Sequence, residues 1–339
     1  MAAKHPAARA EDAFNGALAD VLGRRGWQTR LMPFTGYGGA GFARVLARVV
    51  LARDGQPGTA PILEVDSTQR GFRGFLAAPL TEVPVTVRLG AATIETTSDR
   101  GGYVDVSLSG HGLEPGWHPA EVCAGEVTAY ASVQIIGPEV TFGIISDIDD
   151  TCLITSLPRP LIAAWNTFVR QEAARRVVPG MAAMYRSWLA HHPGAPIVYL
   201  STGAWNTWPT LSRFFRRYSF PLGPLLLTDW GATETSFFRS GPEHKRRELR
   251  RLAREFPQIR WRLVGDDGQH DPELYTEFAR DHPESIDLIA IRELTVAQQL
   301  LSHGSPMSRA DDRAPVFKGP DGYTLHRLVH RTERAAAHA

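Results

Sequence analysis

Residues 142–151 read FGIISDIDDT, a short apolar run that ends abruptly in a cluster of carboxylates. Five such runs follow one another in the second half of the chain, at 140–146, 197–201, 225–228, 260–265 and 286–291. Short apolar runs without alternation are typical of strands buried on both faces. Helical patterns lie between them, and strands that alternate with helices build a mostly parallel sheet. The sequence therefore predicts a doubly wound α/β domain over residues 139–299.

Upstream of this domain the hydrophobic pattern has a period of two residues. Every second residue is apolar from 83 to 89, and the same alternation returns at 104–108. Short alternating strands punctuated by Gly, Pro and Asp predict an all-β, sandwich-like domain over 31–138. An amphipathic pattern at 11–24 predicts that residues 1–30 form a helical segment.

Length and composition narrow the class of protein. A chain of 339 residues fits two domains, because a single core seldom grows beyond about 250 residues. With a net charge of +1 the molecule has no strong overall field, and we expect no nucleic-acid partner. Residues 300–339 are polar and basic, which predicts a poorly ordered tail.

Three absences in the sequence predict a cytoplasmic protein. No stretch reaches the ~18 apolar residues of a membrane span. The N-terminus lacks the apolar core of a secretory signal. The two cysteines, Cys123 and Cys152, are too few for a disulfide framework.

Carboxylates follow two of the predicted strands, at the edge where sheets of this kind bind ligands. Asp147 and Asp149 are two residues apart and would point to the same side of an extended chain. One could attack a phosphorus atom while the other handles the leaving group's proton. A single strand-end aspartate can equally cap the next turn. Six on one edge would repel one another without a cation, and oxygen ligands favour Mg²⁺. The six are Asp147, Asp149, Asp150, Asp266, Asp267 and Asp271.

The predicted helix HKRRELRRLAREF, residues 244–256, carries a lysine on its apolar side. Lys245 is in phase with Leu249 and Leu252, in a first turn where the helix dipole disfavours cations. This position indicates an anionic partner, unless the side chain reaches solvent. The opposite side, here called the arginine face, carries Arg246, Arg247, Arg250, Arg251 and Arg254. Such a face is usually only solvated, but it would also allow weak peripheral contact with an anionic membrane.

The motifs occur in the order DxDxT, strand-end Ser201, Lys245, and Gly-Asp with a second aspartate five residues on. This order resembles the haloacid dehalogenase superfamily of aspartyl-phosphate hydrolases. More narrowly, SDIDDT, VYLSTGAWNTWPTL, EHKRRELRRLAREFP and LVGDDGQHDPELY resemble the catalytic domain of the actin-patch-associated phosphatidate phosphatase family. The resemblance covers roughly 139–295, and GWQTRLMPFTGYGGAGF resembles the family's entry into its β domain.

The resemblance implies a phosphatase that uses Mg²⁺, with Asp147 as nucleophile and Asp149 as general acid/base. Ser201 would bind the transferring phosphoryl group, with Thr202 as the alternative, and Lys245 would neutralise it. The implied metal ligands are Asp147, the backbone carbonyl of Asp149, Asp266 and, in support, Asp271. Asp267 departs from the family, in which relatives often have Ser.

The substrate class stays open at the level of sequence. The resemblance implies phosphatidate or a related lipid phosphate. A soluble phosphatase for a small metabolite or a protein is one alternative, and a binding protein with a vestigial catalytic domain is another. The intact set of Asp147, Asp149, Lys245 and Asp266 argues against vestigiality. We further expect a lid within 152–196 and an apolar entrance lined by Trp205 and Trp208.

Overall fold

The computed structural model describes six stretches of the chain: 26–52, 78–154, 176–228, 241–268, 270–295 and 314–338. The predicted helix at 11–24 and the part of the predicted lid at 155–175 lie outside the described residues. The chain divides into two compact units. The first comprises Met1–Gly137, Ala204–Pro209 and Asp229–Arg239, and the second comprises Pro138–Gly203, Thr210–Thr228 and Ser240–Ala339.

The first unit contains an eight-stranded sheet. Its strands are β1 (Gln28–Gly39), β2 (Phe42–Ala52), β3 (Ala78–Pro79), β4 (Pro84–Leu89), β5 (Ala92–Thr97), β6 (Tyr103–Ser109), β7 (Gly116–Ala124) and β8 (Val127–Ile135). They are ordered β3-β2-β1-β8-β7-β4-β5, and β6 pairs with β2. β1 and β8 run parallel, whereas β1 and β2 are antiparallel.

The predicted β domain is therefore present, but it is one mixed sheet rather than two separate sheets of a sandwich. The sheet is continuous because β1 pairs with β2 on one side and, through residues 36–38, with β8 on the other. The predicted alternation is confirmed. Val85, Val87 and Leu89 of β4 are buried between more exposed neighbours, and each contributes about 1.5–3 kcal/mol by its burial.

The second unit is built on a six-stranded sheet. Its strands are β9 (Phe142–Ser146), β12 (Ile197–Ala204), β13 (Leu225–Thr228), β14 (Arg260–Asp266), β15 (Ile286–Arg292) and β16 (Val316–Gly319), while β10 (Leu153–Ile154) and β11 (Arg176–Val177) form a separate pair. The order is β13-β12-β9-β14-β15-β16, and the pairs from β12 to β16 are parallel. Five of these strands fall on the predicted apolar runs, so the predicted parallel sheet is confirmed.

The strand order reverses between β9 and β14. From β9 the chain moves to β12 and β13 on one side, and later returns to β14 and β15 on the other. Such a reversal leaves a crevice outside the carboxyl ends of the two central strands. Because β9 ends at Ser146 and β14 ends at Asp266, Asp147 and Asp266 stand at this crevice.

The described residues form five α-helices. They are α1 (Met181–Ala190), α2 (Trp208–Arg217), α3 (Gly241–Glu255), α4 (Asp271–Asp281) and α5 (Gly322–Ala336). α1 packs against α5, and α3 packs against α4. As its periodicity predicted, α3 buries Leu249 and Leu252 on the same side as Lys245.

Residues 316–336 correct the prediction of a poorly ordered tail. β16 extends the sheet as a parallel partner of β15, and α5 buries Leu325 and Val329. Asp321 caps this helix by accepting a hydrogen bond from the Thr324 amide at 2.8 Å. Only one narrow side of α5 is apolar, so its polar and basic composition concealed the helix.

Replacing Gly322 with alanine should destabilise this corner of the fold. A β-carbon at 322 would stand 2.4 Å from the carbonyl carbon of Gly180 and 2.4 Å from the amide nitrogen of Met181. Overpacking typically costs about 1–3 kcal/mol, so the midpoint of thermal unfolding should fall. Gly41→Ala is the matched control, because nothing lies within 4 Å of a β-carbon there. Equal midpoints for the two variants would contradict the close backbone approach.

Candidate active site

Asp147 opens a tight loop directly after β9. Its amide donates to the Val264 carbonyl of β14 at 2.8 Å, and the Cys152 amide closes the loop onto the Ile148 carbonyl at 2.8 Å. Asp150 turns the chain with a left-handed φ of 57°. These contacts fix the loop on both sides and leave the Asp147 side chain in the interior, 2% exposed.

Lys245 joins two carboxylates inside the second unit. From the first turn of α3, its Nζ donates to Asp147 Oδ1 at 2.7 Å and to Asp271 Oδ1 at 2.5 Å. All three side chains are buried. Burial by itself would lower the pKa of Lys245, but the two carboxylates raise that pKa above its ordinary value, so the ammonium stays charged. The lysine thus has the anionic partner that its position indicated, and it does not reach solvent.

Asp266 forms a cluster of three buried carboxylates with Asp147 and Asp271. One oxygen from each lies within 4.8 Å of the others. Asp266 Oδ1 accepts from the Gly268 amide at 2.7 Å. The Oδ2 atoms of all three are buried, with no hydrogen-bond partner in the part of the chain that the structure describes.

The charge of this cluster favours a cation. Three ionised carboxylates against one ammonium leave two negative charges in the interior, which is costly without compensation. Burial accordingly raises the pKa of Asp147 to about 8; Lys245 opposes the rise, and Asp271 and Asp149 add to it. Burial also raises the pKa of Asp266 well above its ordinary value. The partnerless oxygens, their burial and the excess charge together fit a divalent cation with oxygen ligands.

Ser201, in β12, contacts the second aspartate of the loop. Its hydroxyl donates to Asp149 Oδ2 at 2.9 Å and accepts from the Gly203 amide at 2.9 Å. Asp149 is half-buried, unlike the three clustered carboxylates. The predicted site residues therefore form two groups, the cluster with Lys245 and the pair of Asp149 and Ser201.

Thr202 and Asp267, which the sequence analysis also considered, make contacts of a different kind. The Thr202 side chain lies against the start of α3, where a β-carbon on Gly241 would stand 2.6 Å from Thr202 Cγ2. Asp267 Oδ1 accepts from the Leu294 amide at 2.8 Å. Asp267 thereby ties the ends of β14 and β15 together and is not a member of the carboxylate cluster.

Sequence reasoning missed two residues that hold the cluster in place. A β-carbon on Gly265 would stand 2.7 Å from Asp271 Oδ2, so only glycine lets this carboxylate approach β14. Tyr275 donates to the Val264 carbonyl at 3.1 Å, the same carbonyl that accepts from the Asp147 amide. The one sequence signal was a glycine inside a strand, which indicates a close approach.

The expected apolar entrance is wrong. Trp205 and Trp208 are buried, and Trp205 stacks on Phe34 of β1 with ring centroids 4.7 Å apart and planes inclined by 15°. The Trp208 ring lies 4.8 Å from Phe34. These contacts explain why the segment Ala204–Pro209 clusters with the first unit, although the sequence placed it in the phosphatase domain.

The arginine face of α3 is present and largely paired. Four of its arginines contact carboxylates: Arg246 and Arg250 contact Glu277, Arg251 contacts Glu255, and Arg247 contacts Glu248. These carboxylates offset the positive charge of the arginines. They favour the interpretation of the arginine face as a solvated helix surface over that of a membrane contact. Among the described residues, no helix combines the length and apolar character needed to cross a membrane.

Comparisons with known proteins found a matching protein family and two similar proteins. Residues 142–293 match the family described as phosphatidate phosphatase APP1, catalytic domain. Phosphatidate phosphatase APP1 of Saccharomyces cerevisiae is 25% identical over 245 residues, which cover 68% of this chain and 41% of the yeast protein. An uncharacterised protein of Schizosaccharomyces pombe is 27% identical over 169 residues, covering 50% of this chain and 28% of that protein. The chain thus spans less than half the length of these relatives.

Among solved structures, a carbohydrate acetylesterase from Xanthomonas citri matches 89% of this chain and 73% of its own, at 11% identity and a TM-score of 0.29. A likeness this weak carries no argument. The family match, in contrast, runs from β9 to just past β15 and contains every residue of the two groups described above. The resemblance seen in the sequence is confirmed, since residues 142–293 match the family described as phosphatidate phosphatase APP1, catalytic domain, and the yeast APP1 protein is similar over 68% of this chain.

Proposed function

We propose that this protein is a Mg²⁺-dependent phosphatase that acts through an aspartyl-phosphate on Asp147. One observation carries the proposal: a buried lysine links two of three clustered carboxylates whose other oxygens have no partner within the described residues. A cation and an ammonium side by side can offset the charge of a transferring phosphoryl group. The family match supports the coarser part of the proposal, a phosphatase.

We also assign the second unit to the doubly wound, haloacid dehalogenase-like fold. The connection through α1 leads from β9 towards β13, whereas those through α3 and α4 lead in the opposite direction across the sheet. Parallel crossovers are right-handed in nearly all proteins. The pair of α1 and α5 and the pair of α3 and α4 then cover opposite faces, which supports the assignment.

In the first step, a carboxylate oxygen of Asp147 attacks phosphorus, an acyl phosphate forms, and the bond from phosphorus to the leaving oxygen breaks. Asp149 gives its proton to that oxygen. In the second step, Asp149 removes a proton from water and the water oxygen attacks phosphorus. The bond from phosphorus to the Asp147 oxygen breaks, which releases inorganic phosphate and regenerates the carboxylate. Two moderate barriers thereby replace one high barrier.

The remaining residues bind and orient. Lys245 holds Asp147 and offsets charge on the phosphoryl oxygens. Ser201 orients Asp149, and its hydroxyl turns to the phosphoryl group when substrate is present. Mg²⁺ would be held by Asp147, Asp266 and the backbone carbonyl of Asp149, with Asp271 in support. When bound, the metal supplies Lewis-acid stabilisation of charge on the phosphoryl oxygens.

We propose phosphatidate or a related lipid phosphate as the substrate, because the S. cerevisiae relative is a phosphatidate phosphatase. A soluble phosphoester is the second candidate. The paired arginine face favours it, since the offset charges leave little attraction for an anionic bilayer.

A phosphatase screen with Mg²⁺ separates these candidates. Phosphate release from phosphatidate in vesicles, in excess of release from soluble phosphoesters, supports the lipid substrate. The reverse ranking supports a soluble substrate. Failure of every phosphoester, with and without Mg²⁺, would overturn the proposed function. Co-sedimentation with anionic vesicles at low and high salt reports separately on peripheral membrane contact.

Asp147→Asn should abolish turnover and leave the protein folded. The carboxamide cannot form the acyl phosphate, so phosphate release should fall by several powers of ten, at least about 1,000-fold. Asp281→Asn is the matched control, because it makes the same replacement at an exposed position on α4. Circular dichroism and the thermal midpoint verify folding. Activity of Asp147→Asn within tenfold of the control would exclude Asp147 as the nucleophile.

Asp149→Asn and Asp266→Asn should fail in different ways. The first loses proton transfer, so its rate should fall least with p-nitrophenyl phosphate, whose leaving group needs little protonation. The second loses a carboxylate of the cluster, so it should need more Mg²⁺ for half-maximal rate and lose thermal stabilisation by Mg²⁺. Titrating both variants with Mg²⁺ provides the measurement. Rescue of Asp149→Asn and not of Asp266→Asn would reverse the two roles.

A further inference from the structure

Arg292 is a buried cation that the proposed chemistry does not use. It is the last residue of β15, stands in register with Asp266 of β14 and is 4% exposed. Burial lowers its pKa, while four carboxylates favour its charge: Asp150, Asp266, Asp267 and Asp321. A buried guanidinium is costly unless hydrogen bonds compensate it, so its contacts indicate what it does.

The Arg292 guanidinium ties two backbone segments together. Nη1 donates to the Asp150 carbonyl at 2.6 Å, and Nε donates to the Pro320 carbonyl at 3.2 Å. The first of these bonds reaches from β15 to the loop that carries Asp147 and Asp149. Hydrogen bonds from a charged donor are roughly twice as strong as neutral ones.

Asp150 is the residue of that loop that most needs support. Its φ of 57° is left-handed, a conformation that residues with a β-carbon adopt at a steric cost, which is smaller for aspartate than for most. Such strain persists where the surroundings hold it. Because Asp149 directly precedes Asp150, the turn at Asp150 sets the direction in which Asp149 approaches Ser201.

The backbone of Arg292 is tied to the other side of the site. Its carbonyl accepts from the Asp267 amide at 3.1 Å, and Asp267 in turn accepts from the Leu294 amide. The strand end that carries Asp266 is therefore anchored to Arg292. One residue connects this strand end to the loop that carries Asp149.

We propose that Arg292 is a positioning residue, which holds Asp149 in register with the carboxylate cluster by bonding the Asp150 carbonyl. The effect that we expect Arg292 to have on catalysis rests on the proposed phosphatase function. The effect that we expect it to have on the structure of the loop does not. A residue that acts through the Asp149 side chain affects the step in which Asp149 transfers a proton.

Hydrogen exchange tests the structural consequence in Arg292→Gln. The amides of Cys152 and Leu153 both donate to the Ile148 carbonyl and so report on the loop. We expect them to exchange at least about tenfold faster than in the wild type, while amides of β9 keep their protection. Arg260→Gln is the matched control. Arg260 also donates to a backbone carbonyl, that of Ile286, at the opposite end of the sheet.

Steady-state kinetics with Mg²⁺ test the consequence for Asp149. In Arg292→Gln, kcat should fall about 10- to 100-fold for an alkyl phosphate and less than about threefold for p-nitrophenyl phosphate, since general acid catalysis contributes 10²–10⁴-fold. The KM values should not change, and the rates are compared at saturating Mg²⁺, because the backbone carbonyl of Asp149 would also hold the metal. Arg292→Lys keeps the charge and one donor, and should recover part of the alkyl phosphate rate.

Hydrogen exchange and steady-state kinetics test different parts of the proposal, and each can contradict its own part. Unchanged exchange at Cys152 and Leu153 overturns the positioning role, and so does faster exchange throughout β9, which would mean that Arg292 only stabilises the fold. Equal losses of kcat on both substrates at saturating Mg²⁺ overturn the route through Asp149. If the wild type hydrolyses no phosphoester, the proposed function fails and the exchange measurement alone decides the role of Arg292.

Discussion

The ammonium of Lys245, buried between Asp147 and Asp271, is the interaction on which the rest of the second unit depends. The three residues of this interaction come from three places: Asp147 from the loop after β9, Lys245 from the first turn of α3 and Asp271 from the first turn of α4. Removing one partner from a buried ion pair typically costs about 3–5 kcal/mol. These elements must therefore be in their final positions together, and the interaction selects one arrangement of the sheet edge.

That arrangement needs a particular topology and a particular glycine. The reversal of strand order puts the ends of β9 and β14 side by side, which is how Asp147 and Asp266 meet. Asp271 joins them because Gly265 has no β-carbon to keep its carboxylate away. The resulting excess of negative charge is also the property that suits the site to a divalent cation. The excess negative charge of the three carboxylates thus lowers the stability of the fold and, at the same time, favours the binding of a cation.

Patterns within one element were readable from the sequence, whereas contacts between distant elements were not. The apolar runs located five strands of the parallel sheet, and the phase of Lys245 with Leu249 indicated a buried lysine. Trp205 has no local feature that links it to Phe34, so its burial in the first unit could not be predicted. Residues 322–336 bury so few apolar side chains that composition outweighed periodicity. Arg292 looked like an ordinary end to an apolar run, because its partner at Asp150 is 142 residues away.

The division of the site into two groups matches two requirements of the proposed phosphatase chemistry that one environment could not satisfy. A nucleophilic carboxylate must be ionised when it attacks. Burial raises the pKa of Asp147 to about 8, and the bond from Lys245 opposes that rise by favouring the ionised form. A general acid must hold a proton and then release it, so it needs a setting without such a strong counter-charge. Asp149 is half-buried and bonds to the neutral hydroxyl of Ser201. Two aspartates two residues apart can therefore take different roles, provided that the loop holds one against the ammonium and the other against the hydroxyl. The hydrogen bond from Arg292 to the Asp150 carbonyl lies directly beside Asp149, in the part of the loop that keeps the two aspartates in different surroundings.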